Sequence, residues 1–324
     1  MPARLAAAWC GHPHLRRGEA FSAWLHRCAN ANGVTDHTFA GYVFPGAQIW
    51  TRDIDRLADE ATCRQAADAM GEDVARVEQS TLQRYAGTVF PHVTTNGWLP
   101  WVTPVGVFHR RRHHPGWAFC PACLRHSGTA YLRWRLAWSV ICPRHACWLL
   151  DGCPRCMAPF EFHRIGLSWP DKWPCPTCGR NLAASGTNPP LHTGTLAAQQ
   201  RLSGVLRYGV LRLGAWVLTP DEAFAGLRRF LPALWPASGT AGLVDGWPSH
   251  ARRRLALRRC DGPFEHWSVD DRARALAALA VYLDDWPDRF VRDAKRAGMR
   301  PSRLDAVILQ ASPPWLRASW ALIG

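Results

Sequence analysis

The chain has 324 residues, of which 48% are hydrophobic, and it carries 39 Lys+Arg against 25 Asp+Glu. That length accommodates two or three small domains with a true apolar core. No uncharged apolar stretch approaches the roughly 18 residues of a membrane span, and the start MPARLAAAWCGHP lacks the pattern of a secretory leader, so the composition reads as a soluble, intracellular protein. The charge is unevenly spread: residues 1–100 hold 9 basic against 10 acidic side chains, residues 101–200 hold 11 against 3, and residues 201–324 hold 19 against 12. A localised basic excess suits a polyanion, nucleic acid first, with a high-pI protein lacking such a partner as the alternative.

In chain order, GEAFSAWLHRCANANG (Gly18–Gly33) predicts an amphipathic helix, with Phe21, Trp24, Leu25 and Cys28 at helical spacing and Asn32-Gly33 as its stop. Residues 51–71 and 72–87 predict two more helices separated at Gly71. Ile54, Leu57 and Ala61 line one, and Val74, Val77 and Leu82 the other. Such a pair reads either as a helix-turn-helix or as a plain or protein-binding helical bundle, and the absence of basic excess here leaves both open. Phe90–Gly106, rich in Pro, Gly and Thr, predicts a boundary loop.

HRRRHH (His109–His114) then leads into two cysteine cassettes. Cys120-x2-Cys123 is followed after 18 residues by Cys142-x2-His145, and Cys153-x2-Cys156 after 18 residues by Cys175-x2-Cys178. Each ligand-type residue of the second cassette lies 33 positions after its counterpart, the mark of a duplication or of two like-built units. A two-residue gap lets one tight turn aim two side chains at one ion, and Pro121, Pro143, Pro154 and Pro176 fix φ within those turns. Two structural zinc ions are therefore expected, one held by Cys120, Cys123, Cys142 and His145, the other by Cys153, Cys156, Cys175 and Cys178. Four protein ligands per ion leave no open position for chemistry. A redox dithiol does not explain four repeats of one spacing, and the His-x-Glu half of the zinc deaminase signature is missing. YLRWRLAW in the first spacer alternates as a strand does. Cys147 lies next to the first site but outside the register and reads as a core or spare cysteine, and Cys10, Cys28, Cys63 and Cys260 read as buried apolar residues.

AASGTNPPLHTGT reads as a linker, and residues 196–216, 221–235 and 269–298 predict helices. Arg252, Arg253, Arg254, Arg258 and Arg259 form a second basic run on a predicted helix. With Arg110, Arg111 and Arg112 they are the candidate nucleic-acid contacts, against the alternative of solvated charge. No P-loop, HExxH, GxSxG or paired-carboxylate signature is present, so the chain is expected not to be an enzyme. The expected fold is mainly α with small β in zinc ribbons. It comprises an N-terminal helical, helix-turn-helix-like domain (1–106), a tandem zinc-binding module (107–185) and a C-terminal helical domain (186–324).

Several of these segments together resemble the TniQ family, target-selection components of bacterial transposons. They are Gly18-Glu19-Ala20-Phe21-Ser22-Ala23-Trp24-Leu25, Phe119–Leu124, Tyr131-Leu132-Arg133-Trp134, Cys142-Pro143-Arg144-His145, Leu149-Leu150 and Cys153-Pro154-Arg155-Cys156. DDWPDRF (Asp284–Phe290) is similar to an element of longer members, while Ala20 replaces the family's usual serine. The resemblance covers residues 10–180 well and the remainder loosely. It implies a non-catalytic, DNA-associated bacterial cytoplasmic adaptor that joins a target, either attachment-site DNA or a CRISPR effector complex with guide RNA, to an AAA+ transposition ATPase of the TnsC/TniB kind. A direct, sequence-specific zinc-containing DNA-binding protein or transcription regulator is the alternative. Whether the chain forms a homodimer stays open, and no membrane partner is expected.

Overall fold

The computed structural model describes residues 9–105, 107–108, 111–112, 116–167, 173–190, 193–235, 242–256, 260, 262–299 and 312–323. The chain divides into two compact units, one of residues 1–86 with 92–189, the other of residues 87–91 with 190–324.

In the first unit the spacing of Phe21, Trp24, Leu25 and Cys28 becomes helix α1 (Phe21–Ala31), which buries all four. Asn32 closes it: its Oδ1 accepts from the N–H groups of Cys10 (3.1 Å) and Gly11 (2.8 Å), and its Nδ2 donates to the carbonyls of Gly11 and Cys28. Helix α2 (Asp36–Val43), which periodicity did not reveal, starts where Thr35 accepts from the Thr38 N–H.

The helix expected over 51–71 is split into α3 (Ile54–Leu57) and α4 (Glu60–Met70), because the Asp59 carboxylate captures the Thr62 N–H and begins a new helix. The helix expected over 72–87 shrinks to α5 (Val74–Glu78), capped by Asp73, and a separate 3-10 turn over Leu82–Tyr85 begins at Thr81. Side-chain oxygens competing for backbone N–H groups cut both helices.

Past the short antiparallel pair β1 (Val107–Phe108) and β2 (Arg111–Arg112) come α6 (Pro121–Ser127) and the hairpin β3 (Ile141–Cys142)–β4 (Cys147–Trp148). The strand expected from YLRWRLAW is instead a 3-10 turn over Leu132–Arg135. Its alternation misleads because Trp134, Arg135, Leu136, Ala137 and Trp138 are all buried, so there is no solvent face. This spacer is stitched to the front of the chain through backbone bonds from Ala20 N to Ala130 O, Leu132 N to Gly18 O, Thr103 N to Arg135 O and Ala137 N to Trp101 O.

The second unit opens with α7 (Thr193–Tyr208). The helix expected to reach residue 216 stops at Gly209, whose φ of 70° the α-helix cannot use, and the chain continues as the hairpin β5 (Leu211–Leu213)–β6 (Trp216–Leu218). Helix α8 (Pro220–Leu234) starts from a capping box of Thr219 and Glu222. Next come α9 (Ser249–Arg254), α10 (Val269–Asp284) and α11 (Asp288–Arg296), the expected 269–298 helix being divided at Pro287, which cannot continue it. Helix α12 (Pro314–Ala321) follows. The unit's core is aromatic: Phe230, Tyr282, Trp286, Phe290, Trp315 and Trp320 meet with ring centroids 4.7–5.9 Å apart. Among the described residues no helix is long and apolar enough to cross a membrane.

Candidate metal centres

The two cassettes fold into two separate ligand clusters, Cys120, Cys123, Cys142 and His145 in one, Cys153, Cys156, Cys175 and Cys178 in the other, with the donor atoms of each within 4.8 Å of one another. Every ligand-type residue singled out in the sequence is thus in one of the two clusters.

Three of the four pairs are built alike. Cys142 pairs with Cys147 and Ile141 with Trp148 in the β3–β4 register. In the second cluster Cys153 N donates to Ala158 O (2.9 Å) and Cys175 N to Arg180 O (2.8 Å), with bridges Gly152–Pro159 and Pro174–Asn181 one step further out. Each is a tight hairpin in which residue i meets i+5, and each turns on a left-handed residue directly after its second ligand: Ala146 (φ 46°), Met157 (φ 57°) and Gly179 (φ 72°). The fourth pair keeps the 33-residue register but not the hairpin. Cys120 is the N-cap of α6, Pro121 occupies the first helical turn, and the Cys120 Sγ accepts from the Cys123 N–H at 3.4 Å. A helix start aims two residues three apart in one direction as well as a knuckle does.

The first cluster has the dimensions of a coordination tetrahedron. Zinc–sulfur bonds of about 2.3 Å place neighbouring sulfurs about 3.8 Å apart, and a sulfur about 3.5 Å from a coordinating imidazole nitrogen. Cys123 Sγ lies 3.6 Å from Cys142 Sγ, and His145 Nδ1 lies 3.5, 3.3 and 3.6 Å from the sulfurs of Cys120, Cys123 and Cys142. In the second cluster Cys153 and Cys178, and Cys156 and Cys175, are each 3.6 Å apart. A disulfide would need about 2.05 Å, and every cysteine is free.

The electrostatics suit a cation. Hydrogen bonds from Cys120 and Cys123 hold the Cys142 thiol far below its ordinary value, while the Cys123 thiol is driven up by the neighbouring sulfurs of Cys120 and Cys142. In the second cluster the Arg180 backbone N–H, with the other sulfurs, draws Cys178 to about 7, and burial pushes Cys175 up to about 12. One thiolate forms at its neighbours' expense in each, and a bound dication is what lets all of them ionise together.

Two further side chains adjoin the first cluster, Cys147, expected beside it as a core or spare cysteine, and His126, which was not expected. Cys147 is buried with its Sγ 3.6 Å from that of Cys120, and burial pushes its thiol up to about 12, so it serves as a neutral S–H beside the thiolates. His126 places Nδ1 3.2 Å from His145 Nε2, the nitrogen turned away from the cluster. His126 does not show in the spacing, because α6 brings it in.

Both clusters sit against the helical front of the first unit. Phe160 and Phe162 from the second spacer pack on both Trp117 and Trp173, and Phe162 and Trp173 also meet His26 of α1. Of the isolated cysteines Cys28 and Cys63 are buried as expected, whereas Cys10 is exposed and Cys260 half-buried. Of the candidate nucleic-acid contacts, Arg252, Arg253 and Arg254 lie on α9, Arg252 paired with Asp245 at 3.5 Å. Arg111 and Arg112 are described in backbone only, as β2, and Arg110, Arg258 and Arg259 lie outside the described residues.

A search of the curated proteins finds no match to the chain. Residues 11–149, from the loop before α1 through the whole first cluster, match the family model described as TniQ.

Proposed function

We infer that the chain is a non-catalytic target selector of DNA transposition. It links a target-recognition element, attachment-site DNA or a CRISPR effector complex with guide RNA, to an AAA+ transposition ATPase. The observation that carries this reading is the TniQ match over residues 11–149. Both clusters support it, since each offers four protein ligands and leaves no coordination position for a substrate. Their thiolate and imidazole donors at tetrahedral spacing select zinc, one ion per cluster, in a structural role.

The test is direct association. The purified full chain is titrated, by size exclusion and fluorescence anisotropy, with the AAA+ ATPase of a transposon that carries it, with and without DNA. The adaptor reading expects a stable complex that forms alongside DNA or an effector complex. Absence of any complex, together with sequence-specific DNA binding by the chain alone, would replace it with the direct DNA reader.

A further inference from the structure

Five arginines scattered across the sequence converge on one concavity of the first unit. Arg16, Arg17, Arg84, Arg133 and Arg144 line a cleft of about 530 Å³, with Tyr131 among them and no acidic residue in its lining. Unlike Arg27, Arg76 and Arg135, which answer carboxylates, none of the five forms an ion pair among the described residues. Arg16 is held by the carbonyls of Ser127 and Gly128 and by the Thr129 hydroxyl. The Arg84 guanidinium donates to Gln79 O at 3.0 Å. Arg133 lies 4.1 Å over the Tyr131 ring, and Arg144 donates to the Tyr131 hydroxyl from the ring's other end. Arg133 also keeps its Nε and Nη2 shielded from solvent with no hydrogen-bond partner among the described residues.

Like charges gathered in a concave wall raise each other's energy unless an anion joins them. Neutral carbonyls and a tyrosine position these guanidinia without neutralising them. Guanidinium forks suit phosphate oxygens, which accept two N–H bonds at once. A neighbouring groove shares Arg16, Arg17, Gly18 and Arg84 and runs on past Arg76 and Gln79. Its one buried carboxylate, Glu19, is already taken by Arg27. The positive surface is therefore elongated, as a chain of phosphates requires and a single small anion does not.

We propose that the cleft of Arg16, Arg17, Arg84, Arg133 and Arg144 binds consecutive phosphates of a nucleic-acid backbone. The choice of nucleic acid as the source of phosphate rests on the transposition reading; the phosphate chemistry does not. Backbone contacts of this kind set register and carry no base specificity.

The experiment uses the zinc-loaded full chain and a short DNA duplex of arbitrary sequence, with affinity measured by anisotropy across a salt series. Arg17→Ala and Arg144→Ala remove exposed side chains, so melting temperature and far-UV circular dichroism are expected to stay at wild-type values. Each should weaken binding several-fold and flatten the slope of log affinity on log salt by about 1, and the double variant by about 2. Arg64→Ala on α4, an exposed side chain paired with Glu60 and outside both grooves, serves as a comparison that keeps the slope. Pyrophosphate is the competing small anion. Displacement of the duplex only at large excess supports a backbone site, while tight pyrophosphate binding without duplex binding overturns it. Unchanged duplex affinity and slope in the folded double variant overturn it too. Binding to the ATPase by the double variant, measured in parallel, separates failure of this site from failure of the adaptor reading.

Discussion

Arg135 has no exposed surface, and its charge is answered on two sides. Asp53 receives two parallel N–H bonds at 2.9 and 2.6 Å, and Asp55 lies 3.5 Å away. Asp55 in turn accepts from the Ser22 N–H (2.8 Å) and the Ser22 hydroxyl (2.7 Å). Glu19, also buried, accepts from Arg27 and from the Arg16 N–H. The polar letters of Gly18–Leu25, the stretch that carries the family resemblance, are thus turned inward and act as fasteners rather than as a site. Burial, reinforced by the charge of Asp53 and opposed by Arg135, pushes Asp55 up to about 6. A carboxyl raised in the folded state contributes stability that is complete below its unfolded value near 3.9 and is lost as pH rises through about 6. Asn at this position keeps an acceptor for the Ser22 N–H and carries no charge to bury. The stability of Asp55→Asn relative to wild type, from urea melts at a series of pH values, is therefore expected to rise between about pH 4 and 6 and to level off above. A difference independent of pH would show that Asp55 ionises as freely folded as unfolded.

Among elements, the three hairpin knuckles are the most informative. Each needs a left-handed residue after its second ligand, and only the third supplies glycine; Ala146 and Met157 hold positive φ with a Cβ in place. The left-handed region costs a non-glycine residue about 1–2 kcal/mol, partly offset in a Gly variant by about 0.5–1 kcal/mol of added chain entropy in the unfolded state. Ala146→Gly and Met157→Gly are expected to stabilise the metal-loaded protein by up to about 1 kcal/mol each, read as a raised melting temperature. Gly179→Val, by the same reasoning, should destabilise it. The metal pairs were legible because coordination demands a fixed spacing and few residue types satisfy it, so all eight ligand-type residues met as the 33-residue register implied. Element boundaries were not, because they depend on competitions invisible to periodicity. Asp59 and Asp73 take backbone N–H groups, Gly209 turns a helix into a hairpin, and full burial on both sides disguises the turn at Leu132–Arg135 as a strand. The register also concealed that Cys120 and Cys123 open a helix, since a capped α6 and a knuckle present the same two-residue gap.

At the scale of the molecule, the two clusters differ in what they hold. Three members of the first are buried and the fourth half-exposed, whereas Cys156 in the second is exposed and Cys178 half-exposed. The spacer of the first cassette also carries the backbone bonds to Gly18, Ala20, Trp101 and Thr103, so its geometry and that of α1 are set together. The second touches the helical front through side chains, Phe162 and Trp173 on His26 and the stacked pair Trp50 and His163 at 5.2 Å. Loss of the first ion should therefore propagate where loss of the second stays local. Structural zinc sites contribute on the order of 10–16 kcal/mol of apparent binding energy, as much as a domain's whole net stability of about 5–15 kcal/mol, enough for folding to depend on them. The wild-type chain is expected to hold two zinc ions by elemental analysis. Cys156→Ser should hold one and keep nearly all helical circular dichroism, while Cys123→Ser should lose the helical signal of the front as well as its own ion. A chelator should release metal in two phases, the exposed second cluster first, with the helical signal falling only in the slower phase. If both variants lost equal amounts of helix, the backbone stitching at Ala130–Ala137 would not be what ties the first centre to the TniQ helices.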